Sequence, residues 1–118
     1  MWYAASIIMY VEFKDKLQEK YPIWENIVLI EANSEEEALR KAEERGHLDE
    51  GDDSGSFSWE KRPAMWVYGG IRKLLSCADF EKRPTDGTEI TYSQMEVKSA
   101  SDLKKLINSK RVSVIYEI

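Results

Sequence analysis

Asp49 and Glu60 bracket an acid-rich stretch at the twelve-position spacing of the first and last ligands of a helix–loop–helix calcium site. Such a loop needs oxygen ligands at its first, third and fifth positions and glycine at its sixth. Here the third position is Gly51 and the sixth is Ser54, so the pattern fails twice. Zinc needs several Cys or His ligands, and the chain holds only His47 and Cys77. A nucleophilic Cys/His pair would need those two to meet in space. His47 is expected on the solvent side after a helix stop, and Cys77 is expected as a small buried thiol at a strand end. Glu12, Glu25, Asp79, Asp86 and Glu89 lie near expected strand ends or turns, where a desolvated pair of acids could exchange protons, but their spacing selects no pair. Phosphate-loop, dinucleotide and nucleophile-elbow patterns are missing. The sequence therefore yields no catalytic set, no cofactor site and no metal site, and it leans away from an enzyme.

Trp66 and Tyr68 share one expected strand and are flanked by Lys61, Arg62, Arg72 and Lys73. RNA-recognition sheets stack bases on strand aromatics in this way. Against nucleic acid stand the missing signature motif and a net charge of −5, since phosphate contacts dominate such affinity. The charge is uneven: residues 31–60 carry a balance of −8, residues 61–118 one of +4. A solvated helix face and an acidic loop account for the middle segment. A patch for a basic partner is the sharper version, and an immunity or antitoxin-like protein whose segment 43–53 masks a basic toxin is its most specific form.

The elements that must position these residues follow from periodicity. In residues 2–13, Tyr3, Ala5, Ile7, Met9, Val11 and Phe13 fall on one side of a long strand and predict its core face. A polar loop follows at 14–20, with Tyr21-Pro22 extended. Asn26–Ala32 is apolar on both faces, which predicts a central strand. Ser34-Glu35-Glu36-Glu37 matches a capping box and starts a helix with Ala38, Leu39 and Ala42 as its buried stripe and Gly46 as its stop. Residues 48–55 form an acidic loop. Ala64–Ser76 predicts a long strand bulged at Gly69-Gly70. Pro84-Thr85-Asp86-Gly87 predicts a turn into a partner strand at Thr88–Val97. Ser99 starts a second helix with Leu103, Leu106 and Ile107 as its stripe, and Val112, Val114, Tyr116 and Ile118 alternate in a last strand.

This order predicts one α+β domain over 1–118: a ferredoxin-like two-layer sandwich of about five mostly antiparallel strands with two helices on one face. The length suits one core. No apolar run reaches the ~20 residues of a membrane span. A lone cysteine and a start, Met1-Trp2-Tyr3, without basic residues predict a cytoplasmic protein.

Four marks carry a family resemblance: Met1-Trp2-Tyr3-Ala4-Ala5 opening a strand; Trp24-Glu25-Asn26-Ile27-Val28-Leu29-Ile30-Glu31-Ala32 followed by Ser34-Glu35-Glu36-Glu37-Ala38 and Ala42; Trp66-Val67-Tyr68-Gly69-Gly70-Ile71-Arg72-Lys73-Leu74; and Asp86-Gly87-Thr88-Glu89. Together they resemble the small bacterial proteins grouped as domain of unknown function 4288. The resemblance implies a single small soluble domain with no established activity, and so carries over no catalytic residue.

Four Trp, six Tyr and three Phe are many for this length. If both helices cover one sheet face, the other holds some of Trp2, Tyr10, Trp66, Tyr68 and Tyr92. A wet face bearing such rings tends to be an interface. The function expected is thus a non-enzymatic protein-interaction module working through a sheet face or edge, in its simplest form a homodimer. The alternative is a small enzyme or ligand-binding domain with a pocket between the sheet and the 48–62 loop.

Overall fold

A computed structural model of the chain describes residues 1–117. Strand β1 (Trp2–Phe13) is the axis of the fold: it pairs antiparallel with β2 (Ile23–Glu31) on one side and with β4 (Arg62–Ser76) on the other. A short β3 (Ser58–Trp59) returns onto the start of β4, which gives a four-stranded sheet in the order β2-β1-β4-β3. Pro63 sits opposite Ser58 at this rim, where its missing N–H costs no ladder bond. The expected core face of β1 is the observed one: Tyr3, Ala5, Ile7, Met9, Val11 and Phe13 are all buried. β2, expected to be central, is an edge strand that begins earlier, at Ile23. Its apolar residues on both faces signalled burial, yet Ile27 and Leu29 stay over 40% exposed.

Helix α1 (Glu35–Leu48) links β2 to β3 and packs on the odd-numbered face of β1 through the fully buried Ala38 and Ala42. Ser34 caps it, its Oγ accepting the Glu37 N–H at 3.1 Å. The return half of the expected capping box is shifted by one residue: the Glu37 carboxylate accepts the N–H of Asn33, not of Ser34. Gly46 does not stop the helix, which continues to a cap at Asp49. Its role is close packing, because a Cβ at this position would overlap the Tyr68 ring of β4.

β4 departs from regular pairing twice, where Gly69 and Arg72 each stand as an extra residue against β1. The bulge expected at Gly69-Gly70 is therefore present, with Gly70 at φ 148°. Beyond β4 the fold leaves the ferredoxin-like plan. Thr85 and Thr88 close the expected turn, but residues 88–97 do not pair with β4, whose inner side is already taken by β1 along its length. Only β5 (Gln94–Glu96) forms a strand, and it pairs with β6 (Ile115–Glu117) in a separate two-stranded ribbon. The sixth strand exceeds the five expected, and Ile118 lies outside the described residues. Helix α2 (Ala100–Ile107), capped by Ser99, buries no residue. The ribbon that carries it touches the sheet on the side opposite α1, and α2 packs on no sheet strand, so the two helices do not form one layer. The radius of gyration, 16.9 Å, exceeds the roughly 13 Å of a compact domain of about 100 residues, as expected when this last unit stands off the body.

The long loops are tied down by charge. Arg62 grips Asp15 with two hydrogen bonds (3.0 and 2.7 Å) and lies over the Phe13 ring. Lys14 reaches Asp52 across the start of the 48–62 loop. Gln18 plugs the β1–β2 loop, accepting from Phe13 N–H and donating to the Val11 and Lys20 carbonyls. These bonds hold several carboxyls below the ordinary range: Asp15 through Arg62, Glu37 through the Asn33 amide, Glu50 through His47, and Asp52 through Lys14.

Gly46→Ala in a solvent-facing helix site would stabilise by about 1 kcal/mol. Against Tyr68 it is expected to cost about 1–3 kcal/mol by overpacking, and far less in a Tyr68→Ala background. Denaturant titration of the four proteins of this cycle decides the matter, and a stabilised Gly46→Ala single variant would contradict the packing role. A second expectation concerns pH. A carboxyl whose folded pKa is depressed contributes stability that is present above its unfolded pKa and lost as pH falls through the folded value. Stability is expected to hold from neutrality to about pH 5 and to decline below about pH 4, less steeply in Asp15→Asn. Unfolding midpoints measured between those conditions that rose on acidification would contradict it.

Candidate interaction surface

The residues whose types suggested chemistry are dispersed. His47, on α1, stacks on Tyr68 at 4.6 Å and shares a hydrogen bond with Glu50. Cys77 lies buried past the far end of β4, nine residues beyond Tyr68, its thiol pKa pushed up by burial. At about 3.3 Å per strand residue the two are far apart. Asp49 caps α1, and Asp52 binds Lys14 and the Gly55 amide. Among the described residues no group of three or more His, Cys, Asp or Glu is placed to hold a metal ion. Of the five singled-out carboxylates only Glu25 enters a cluster. It faces Arg72 at 3.3 Å and accepts the Tyr116 hydroxyl at 3.1 Å, while the Arg72 guanidinium lies 4.0 Å over the Tyr116 ring. The same hydroxyl lies 3.1 Å from Ser93 Oγ, and Lys73 donates to the Tyr92 carbonyl. These contacts seat the β5–β6 ribbon on the helix-free face of the sheet.

The candidate interface residues separate by strand parity. Trp2 and Tyr10 are even-numbered on β1 and point to the helix-free face, half-buried, with Tyr10 edge-on to Tyr21. Tyr92 is exposed over Lys73. Trp66 and Tyr68 pair with Val11 and Met9, so they face the helix side and pack against the core. They do not belong to a wet aromatic face. Three of the four basic residues around them are engaged: Arg62 by Asp15, Arg72 by Glu25, and Lys73 by the Tyr92 carbonyl, while Lys61 is exposed. The space between the sheet and residues 48–62 is occupied by Phe57 and Trp59, packed on Phe13, Ala64 and Trp66. Trp66 also exchanges two backbone hydrogen bonds with Gly51. Trp24, not foreseen as a contact residue, completes this cluster at 4.8 Å from Trp66 while remaining 51% exposed.

What the fold leaves open is the outer rim of β2. Val11 N–H donates to the Pro22 carbonyl at one end of the β1–β2 pair, and Ala32 N–H donates to the Met1 carbonyl at the other. Alternation along an antiparallel strand then turns the backbone groups of Trp24, Asn26, Val28 and Ile30 toward β1. Those of Ile23, Glu25, Ile27, Leu29 and Glu31 turn outward. Glu31 is closed off, since Lys41 Nζ donates to its carbonyl at 2.7 Å. The outward groups of Ile23, Glu25, Ile27 and Leu29 meet no backbone partner among the described residues. Exposed apolar side chains flank them: Ile23, Ile27 and Leu29 on the helix-free face, and Trp24 on the other. A groove of about 400 Å³ continues along this rim between Leu29 and Glu31 of β2 and Lys41 and Arg45 of α1. Natural edge strands are usually blunted by Lys, Pro or a bulge, and Ile23–Leu29 has none of these. The sequence signal was present as an apolar run, but it reads identically for a buried strand.

No helix among the described residues is long and apolar enough to cross a membrane. No curated protein and no solved structure matches the chain. One family model does match, over residues 2–93, a span that takes in the whole four-stranded sheet and α1 and stops just short of β5. The chain belongs to the family described as Domain of unknown function (DUF4288).

Proposed function

We propose that this protein is a non-enzymatic interaction module that works by strand addition at the outer rim of β2. The observation that carries this reading is the run of unpaired outward backbone groups at Ile23, Glu25, Ile27 and Leu29, set between exposed apolar side chains. An incoming extended segment would gain main-chain hydrogen bonds along the rim, and alternate side chains would supply specificity. Trp2 and Tyr10 border the same helix-free face and widen the contact; Trp66 and Tyr68 act from within, as packing that stiffens the sheet.

The reading against an enzyme rests on the polar cluster. Glu25, Arg72, Tyr116 and Ser93 are drawn together where they anchor the ribbon, although Glu25 Oε2 and Arg72 Nε lie buried without a hydrogen-bond partner. The larger depressions are open grooves. The one of about 640 Å³ between the first turn of α1 and β4 is lined by Ser34, Glu35, Glu36, Arg72 and Lys73 as well as by Leu39, Ile71 and Leu74.

Ile27→Lys tests the proposal directly. The position is 42% exposed, so the lysine is tolerated by the fold while it blunts the edge. Sedimentation of the purified chain and side-by-side capture with tagged wild type and variant should reveal at least one association, with itself or with another protein, that the variant loses at unchanged circular dichroism. Associations that all survive the substitution, or none by either measurement, would overturn the reading.

A further inference from the structure

We infer that the strand added to β2 is β2 of a second copy, in one register, about a twofold axis passing beside Asn26. This rests on the strand-addition reading above and names its partner. An antiparallel copy can be placed so that outward residues oppose outward residues. Placing the axis at Asn26 sets Ile23 against Leu29 of the second copy and Glu25 against its Ile27. Every outward N–H and C=O from Ile23 to Leu29 then finds a partner, on both copies at once. On the helix-free face Ile23 meets Leu29, so these two exposed apolar side chains cover each other, while Ile27 meets Glu25. On the helix side Trp24 meets Val28, and the two Asn26 amides face each other across the axis. Pro22 falls opposite Ile30, whose N–H already points to β1, so the missing proline donor costs nothing. No like-charged pair is created.

The neighbouring register, with the axis at Ile27, is poorer. It opposes Asn26 with Val28 and Ile23 with Glu31, and it needs the Glu31 carbonyl that Lys41 occupies. On the helix side of the seam, Asn26 paired with itself between Trp24 and Val28 fixes register, as a buried Asn does in a coiled coil. The product is a continuous sheet made from two four-stranded ones, with both α1 helices on one face and both β5–β6 ribbons on the other.

Cysteine pairing reads the register. In a non-hydrogen-bonded antiparallel pair the Cα atoms lie about 4.5 Å apart, within disulfide range. Asn26→Cys is therefore expected to form an intermolecular disulfide quickly under mild oxidation. Ile27→Cys is expected to do so poorly, and wild type, whose Cys77 is buried, not at all. Light scattering should give a dimer for wild type and a monomer for Ile27→Pro, which removes an outward N–H that the single copy does not use, with circular dichroism confirming that each variant folds. Efficient pairing of Ile27→Cys but not Asn26→Cys would overturn the register. A wild-type monomer at about 100 μM, roughly 100-fold above a micromolar Kd, would overturn self-pairing. The strand-addition reading would still stand if Ile27→Lys then loses a foreign partner, so the two failures are distinguishable.

Discussion

Along β1 the backbone hydrogen bonds are divided between two neighbours, odd residues bonding to β2 and even residues to β4. That division makes the strand the one element with no free side, and the rest of the molecule is arranged around it. Its odd face, from Tyr3 to Phe13, supplies most of the buried apolar surface, and α1 can lie close because Ala38 and Ala42 bring only methyl groups to the contact. Placing the best-satisfied strand in the middle pushes the unsatisfied groups outward to β2. The open rim is thus a direct result of the same pairing that builds the core.

A second constraint sets where α1 ends. Tyr68 projects from β4 into the last turn of the helix, and only a residue without a side chain can receive it. The ring is then closed over by His47, while its own backbone N–H is taken by the Glu50 carboxylate. One aromatic residue thereby docks the helix terminus, orders the entry to the acidic loop, and caps a stretch of the outer edge of β4. The edge of β2 has no comparable cover beyond Lys41.

Much of this was legible in the chain. Period-two alternation identified the core side of β1 because a strand packed mainly on one face places its apolar residues at every second position, although Ala4 and Ser6 on the other face are buried as well. Ser34 marked a helix start through local hydrogen bonding alone, and the glycine pair marked a bulge for the same local reason. The misreadings arise where the deciding partner is distant in sequence. Gly46 looked like a helix stop because its partner, Tyr68, lies on another element. β2 looked central because Ile27 and Leu29 carry the same side chains whether a neighbour covers them or not. The stripe of Leu103, Leu106 and Ile107 announced an amphipathic helix but not what it packs on, and it stays largely uncovered. Which strand aromatics face outward depends on register, which the sequence does not carry across the bulges of β4; pairing with Val11 and Met9 turns Trp66 and Tyr68 inward.

The position of β1 in the chain also bears on how the sheet comes together. Its first neighbour follows at once through a short loop, whereas its second neighbour is at least fifty residues further on, at Ala64 opposite Phe13. A hairpin can close early and locally, but the middle strand is finished only when a distant segment arrives, and such long-range pairings are the slow ones. During synthesis the growing chain therefore exposes, for the time it takes to extend past β4, a half-built ladder with two sticky margins instead of one. Of the strands in this sheet, the one made first is the last to be fully enclosed.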